Sequence, residues 1–347
     1  MQCSRMMAVD LPELLLARHH APTLPRLDRD NALHRIRPGA YVQRAEWEPL
    51  APWQRYRLRV LAVAATWSSP VFCLESAATL AGMPVFGEPR DIHLFDTAGK
   101  TWREGDVIVH GSADDRRIIQ ISGRSLTSLE DTATDLCRVL PPAFGLAVAD
   151  ATARRMTPGS VLRVSDVGRG QAAKRGVRRL DWVQDRTDAA AESPGESVSR
   201  AVIEWLGYEE PELQVNFSYE GHDDRTDFYW RRLRLLGESD GYGKYDAEDV
   251  ESTKRHFIRE KQREDRLRRY EGGFARWDWA DTVGWKALDR KLAAAGLVPV
   301  RDRDLAMLAT LASNPRSLAH FPRRSRGFEP TQGAATPASA RSPVWAR

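Results

Sequence analysis

Asp227, Glu238 and Asp240 lie close together along the chain, in stretches that read as extended backbone. Side chains alternate between the faces of a strand, so Glu238 and Asp240 project from one face of the stretch 234–240. The short connection 228–235 reads as a hairpin that brings Asp227 beside them. Phe228, Trp230, Leu233, Leu235 and Leu236 predict strands that are mostly buried, where an unpaired carboxylate is costly. Gathered carboxylates repel unless a cation or a shared proton resolves the charge. The pattern therefore predicts a hard divalent cation, Mg²⁺ or Mn²⁺, on Asp227, Glu238 and Asp240. A cation so held activates water and stabilises the charge on a phosphate under attack, so the predicted reaction is phosphodiester hydrolysis. Glu196, at a helix start after Pro194-Gly195, is expected to point at the same place, although an acid in a first helical turn is favoured by the helix dipole alone. Lys244, in Gly241-Tyr242-Gly243-Lys244-Tyr245, is the candidate partner for a phosphate or the attacking water. The candidate catalytic set is thus Glu196, Asp227, Glu238, Asp240 and Lys244. The competing reading of the three strand acids is a charged, solvated hairpin edge.

The elements that must position these groups follow from periodicity. A helix over 196–206 precedes strands at 213–219, 226–230 and 234–240, then a strongly charged segment at 246–270 and an aromatic strand at 274–279. The order reads α-β-β-β-α-β. Upstream, Arg35 to Val42 reads as strand, Pro-Gly turn and strand, a small β-wing. Helices are predicted over 51–65, 76–82, 129–140 with Ser128 or Thr127 as cap, and 145–153. Strands are predicted at 92–95, 107–110 and 117–121, making the first part an α+β unit.

With 347 residues and roughly 150 per domain, two cores are expected. The expected divisions are a head at 1–50, a body at 51–155, a junction at 156–193, a second domain at 194–313 and a disordered Pro-, Ser- and Gly-rich tail at 314–347. The net charge is only +4, so a nucleic-acid footprint must come from local clusters. Lys254, Arg255, Arg259, Lys261 and Arg263 open one such cluster after the acids and could track a phosphate backbone. Interleaved Glu260, Glu264 and Asp265 offer the alternative of i,i+4 pairs on a solvated helix. Cys3, Cys73 and Cys137 are widely spaced, which excludes a readable disulfide framework or structural zinc site. No apolar run is long enough to cross a bilayer and no export signal is visible, so a cytoplasmic protein with no membrane role is expected.

Two resemblances add to this reading. Pro194-Gly195-Glu196-Ser197, Thr226-Asp227-Phe228, Gly237-Glu238-Ser239-Asp240-Gly241, Lys244-Tyr245, the helix around Glu260 to Asp265 and Arg276-Trp277-Asp278-Trp279 resemble one family of domains of unknown function. That family is similar to the very-short-patch repair endonucleases, within the PD-(D/E)XK restriction-endonuclease-like superfamily. The resemblance implies an α/β domain with a central mixed sheet flanked by helices. It also implies that Asp227 and Glu238 are the metal-binding acids, and that Glu196 is the helical glutamate. The superfamily places a lysine where this chain has Asp240, and Lys244 is the candidate substitute.

Arg35-Ile36-Arg37-Pro38-Gly39-Ala40-Tyr41, the stretch Cys73 to Pro84 and the stretch Leu126 to Leu136 resemble the AbiEi-type abortive-infection antitoxins. This implies a winged-helix head, with Arg35 and Arg37 toward DNA, on an α/β antitoxin body. The head is degenerate, because Pro22 to Asn31 lacks a recognition-helix pattern. Two functions follow as expectations. One is a metal-dependent DNA endonuclease in phage defence or DNA repair. The other is an antitoxin-like DNA-binding transcriptional regulator with a catalytically inactive nuclease fold, and with a cognate toxin or a second copy as partner.

Overall fold

The computed structural model describes residues 11–20, 31–97, 99–240, 250–312 and 314–318. In the head, β1 (Leu15–Leu16), β2 (Leu33–Arg37) and β3 (Ala40–Gln43) form a sheet of order β1-β3-β2. Gly39, at φ +82°, makes the expected Pro-Gly turn, a conformation glycine adopts without a side-chain clash. Single turns α1 (Ala17–His20) and α2 (Arg44–Trp47) flank this wing. Most of the stretch expected to lack a recognition helix, 21–30, lies outside the described residues.

The body begins with α3 (Pro52–Thr66), β4 (Val71–Phe72) and α4 (Leu74–Leu80). The strands β5 (Ile92–Asp96), β6 (Trp102–Glu104), β7 (Val107–Gly111), β8 (Ile118–Ile121) and β9 (Arg124–Thr127) follow. They make a mixed sheet of order β6-β7-β5-β4-β9-β8. Ser128 then caps α5 (Leu129–Val139) by accepting from the Asp131 N–H. The next helix, α6 (Pro142–Ala153), is apolar nearly all round, and residues 142–152 are buried.

The segment expected to be a junction is part of the core. It holds α7 (Val164–Gly170) and α8 (Val177–Arg186), and Leu180 and Val183 of α8 are fully buried. One apolar cluster runs from Cys73 and Phe144 through these residues to Val198, Phe228, Trp277 and Leu288, so both halves of the chain share it. Arg200, on the helix α9 (Pro194–Trp205), reaches back 3.0 Å to the fully buried Asp150 of α6.

After α9 come β10 (Glu212–Tyr219), β11 (His222–Trp230), β12 (Leu235–Asp240), α10 (Val250–Tyr270) and β13 (Gly273–Asp278). The sheet order is β10-β11-β12-β13, with β12 and β13 parallel and the other pairs antiparallel. One face, bearing Phe228, Trp230, Leu235 and Trp277, packs into the shared core. The other buries Phe217, Tyr229, Leu236 and Phe274 with Leu267 of α10. Short helices α11 (Trp279–Val283), α12 (Lys286–Ala294) and α13 (Leu305–Ala309) complete the described chain.

Gly237 sits where the core face of β12 is tightest. A Cβ there would lie 2.8 Å from the Trp277 ring, 2.9 Å from Trp230 and 3.1 Å from Phe228 Cβ. Gly237→Ala is therefore expected to destabilise the fold by about 1–3 kcal/mol through overpacking, read as a lowered unfolding midpoint in urea.

The expectation of disorder from residue 314 fails at its first residues. The Leu318 N–H donates to the Glu88 carbonyl at 2.7 Å, and the Arg90 N–H to the Arg316 carbonyl at 2.8 Å. Arg316 enters a buried polar site on the body, where its guanidinium binds Glu75 and lies 2.9 Å from His93 Nε2. His93 Nδ1 meets His110 Nε2 at 2.9 Å. Burial alone would raise the Glu75 carboxyl, but the hydrogen bond and charge of Arg316 outweigh it and hold it below its ordinary value. Burial, aided by Arg316, pushes His93 down to about 4 against the pull of Glu75. Between about 6.5 and 4 the unfolded chain binds a proton on this histidine that the folded chain refuses, so acidification weakens the packing over that window. Amide protection at Arg90 and Leu318 in hydrogen exchange, corrected for the intrinsic rate, is expected to fall between pH 7 and 5.

Candidate active site

The site forms where the ladder between β11 and β12 opens. Backbone pairing ends at Phe228 and Gly237, and one step further the register brings Asp227 level with Glu238. Side chains take over the hydrogen bonds there. The Thr226 hydroxyl donates to the Gly237 carbonyl at 3.0 Å, and Asp227 Oδ2 accepts the Ser239 N–H at 3.0 Å. Asp227 is thereby fixed at the mouth of the splayed strands.

Glu196 approaches from the start of α9. Ser193 caps that helix by accepting the Glu196 N–H, and Glu196 Oε2 accepts the Glu192 N–H at 2.8 Å. The expected helix-terminus role is therefore present, and Glu196 is only 5% exposed. The same Oε2 also accepts Gln214 Nε2 at 2.8 Å, while Nε2 lies 3.5 Å from Asp227 Oδ1. Gln214 of β10 so joins the helical acid to the strand acid.

Glu238 and Asp240 share a face of β12 as expected, but Glu238 meets arginines. Arg276 of β13 stands beside it in the parallel register, and Arg263 comes from α10. Each guanidinium binds one carboxylate oxygen of Glu238, which is 6% exposed. Arg276 also lies 3.6 Å from Asp240 Oδ1. Burial would lower both guanidinium pKa values, and the Glu238 carboxylate raises them instead. Both carboxylate oxygens of Glu238 are thus occupied, so the expected ligands Asp227, Glu238 and Asp240 do not converge on one open point. Among the described residues, no group of three or more His, Cys, Asp or Glu is arranged to hold a metal ion. The physical reason is local neutralisation, since the repulsion that called for a cation is relieved by Arg263 and Arg276.

Among the described residues the basic cluster on α10 is largely spent on acids, two of its pairs being the i,i+4 pairs of the solvated-helix alternative and the others reaching the sheet. Lys261 pairs with Asp265 at 3.1 Å, Arg266 with Asp224 at 2.7 Å, Arg268 with Glu264 at 2.8 Å and Arg269 with Glu220 at 2.7 Å. Arg263, expected on a phosphate, holds Glu238 and Glu260. Arg259 is exposed and has no ion-pair partner among the described residues. Lys244 and the side chains of Lys254 and Arg255 lie outside the described residues. In the head, Arg35 is exposed, whereas Arg37 is half-buried over the Trp67 ring at 5.7 Å, and burial lowers its pKa. Of the two, Arg35 is thus the one presented to solvent.

Sequence reasoning missed Gln214 and the role of Arg276. An amide in a strand carries no charge signal, and Arg276 was legible only as part of a strand. Comparison with protein-family models, with curated proteins and with solved structures gave no match for this chain.

Proposed function

We propose that the chain is a metal-dependent phosphodiesterase acting on DNA, with Glu196, Asp227 and Glu238 as its acids. The observation that carries this reading is Asp227 at the opening of the β11–β12 ladder, level with Glu238 and tied to Glu196 through Gln214. The element order α9-β10-β11-β12-α10-β13 follows the α-β-β-β-α-β order read from periodicity, and the parallel β12–β13 pair makes the sheet mixed, as the resemblance implies. The donor chemistry also fits a hard cation. Glu196 and Asp227 offer carboxylate oxygens, and the Gln214 amide between them, whose Nε2 faces both acids, would present its oxygen to a cation there on turning over. A bound Mg²⁺ or Mn²⁺ would supply Lewis-acid stabilisation and a more acidic water.

The chain's own groups have distinct roles in this reading. The Ser239 N–H orients Asp227, the Glu192 N–H orients Glu196, and Arg263 and Arg276 each hold one carboxylate oxygen of Glu238. Their planar forks suit phosphate oxygens as well as carboxylates, so a backbone phosphate can draw on the same two side chains.

A second reading, a DNA-binding regulator with an inactive nuclease fold, is favoured by the double pairing of Glu238 and by Asp240 in place of the superfamily's lysine. Incubation of supercoiled plasmid and of single-stranded DNA with Mg²⁺, Mn²⁺ or EDTA, beside a mobility-shift assay, separates the two. Metal-dependent nicking supports the enzyme. DNA binding without nicking supports the regulator.

A further inference from the structure

Gln214 is distorted at the point where it meets both acids. The pairs Leu213↔Phe228 and Val215↔Thr226 are in regular register on either side, which puts Gln214 opposite Asp227. Yet its φ is +53°, a left-handed conformation that a residue with a side chain rarely adopts and that surrounding structure must enforce. Its amide nitrogen faces Glu196 and Asp227, and the reverse assignment would set a carbonyl oxygen against two carboxylates. The correct orientation leaves Oε1 buried and unpartnered, a loss of hydration that nothing among the described residues offsets.

We infer that Gln214 is a reversible amide bridge and a further positioning residue of the site. Without a cation its N–H groups hold Glu196 and Asp227 together, and with one the amide turns over so that its carbonyl oxygen faces the cation. The inference rests on the reading of the site as a metal-dependent one. A neutral amide suits both states because it carries a donor and an acceptor on one planar group, whereas a carboxylate or a lysine suits only one.

The test is Mn²⁺ binding to the full chain, followed by calorimetry and by the electron paramagnetic resonance of free Mn²⁺, with melting of each variant measured with and without Mn²⁺. Gln214→Leu is expected to weaken Mn²⁺ binding by about 10- to 100-fold, the range typical of lost support around a metal. Gln214→Glu is expected to melt lower than wild type without metal, because three carboxylates then meet with no amide donor, and to recover on adding Mn²⁺. Wild-type Mn²⁺ affinity in both variants, with only their metal-free melting changed, would reduce Gln214 to a structural bridge and overturn the inference alone. Failure of the wild type to bind Mn²⁺ would instead remove the metal-dependent reading and the inference with it.

Discussion

Asp227→Ala is expected to reduce metal-dependent DNA nicking by at least about 100-fold, since losing even a supporting group around a catalytic metal costs about 10- to 100-fold. Asp227 is where the helical acid, the amide bridge and the opened ladder meet, through the contacts of its two carboxylate oxygens with Ser239 and Gln214. Asp227→Asn keeps much of the shape while removing the charge, so it separates the loss of a ligand from the loss of a strap between strands. Glu238→Gln is the matching change on β12. It preserves contacts to Arg263 and Arg276 better than alanine, which would leave two guanidiniums facing each other. Nicking rates for these variants, taken beside their melting curves, check the expectation. Loss of nicking in variants that still fold, and larger than any lowering of the melt accounts for, is the predicted pattern.

Arg200→Met is expected to lower stability by about 3–5 kcal/mol at pH 8, the cost typical of leaving one partner of a buried ion pair alone. Asp150 is fully buried, and besides Arg200 it accepts the Asp188 N–H at 2.8 Å. Burial pushes its carboxyl up to about 6 despite the guanidinium. Removing Arg200 raises it further, while the unfolded value stays near 3.9. Below the variant's folded pKa the folded state takes up a proton that the unfolded chain does not hold, so acidification restores stability. The gap between wild type and variant is therefore larger at pH 8 than at pH 5.5, closes as the pH falls through the variant's folded pKa, and reaches its floor once the wild-type carboxyl is also protonated, below about 6. Urea unfolding at pH 8 and at pH 5.5 measures both ends. A gap independent of pH would assign the loss to packing of the Arg200 stem.

Much of the C-terminal half was legible because its signals are local. The alternation around Glu238 and Asp240 gave β12, Pro194-Gly195 marked the start of α9, and the aromatic run marked β13. Helix α8 was hidden by its charges, since Arg178, Arg179, Asp181, Asp185 and Arg186 interrupt the apolar residues, of which Leu180 and Val183 are the buried ones. The edge strand β6 is exposed along its whole length, so it has no alternation to read. Contacts between distant residues were out of reach. Arg316 with Glu75, Arg276 with Glu238 and Gln214 with Glu196 each join segments whose meeting is set by tertiary packing. The acids were thus recognisable from their types and spacing, but the arginines that neutralise Glu238 were not recognisable as its partners. Those arginines occupy both carboxylate oxygens of Glu238, a constraint that the acids considered alone do not reveal.

The most direct test of the central claim is the rate of supercoiled-plasmid nicking by wild-type protein in Mg²⁺ or Mn²⁺, compared with EDTA and with Asp227→Ala under the same metal. Nicking that requires the metal and falls by at least about 100-fold in the variant, with both proteins folded, is the predicted result. Wild-type protein that binds DNA without nicking it in either metal, or nicking that survives Asp227→Ala, would contradict it.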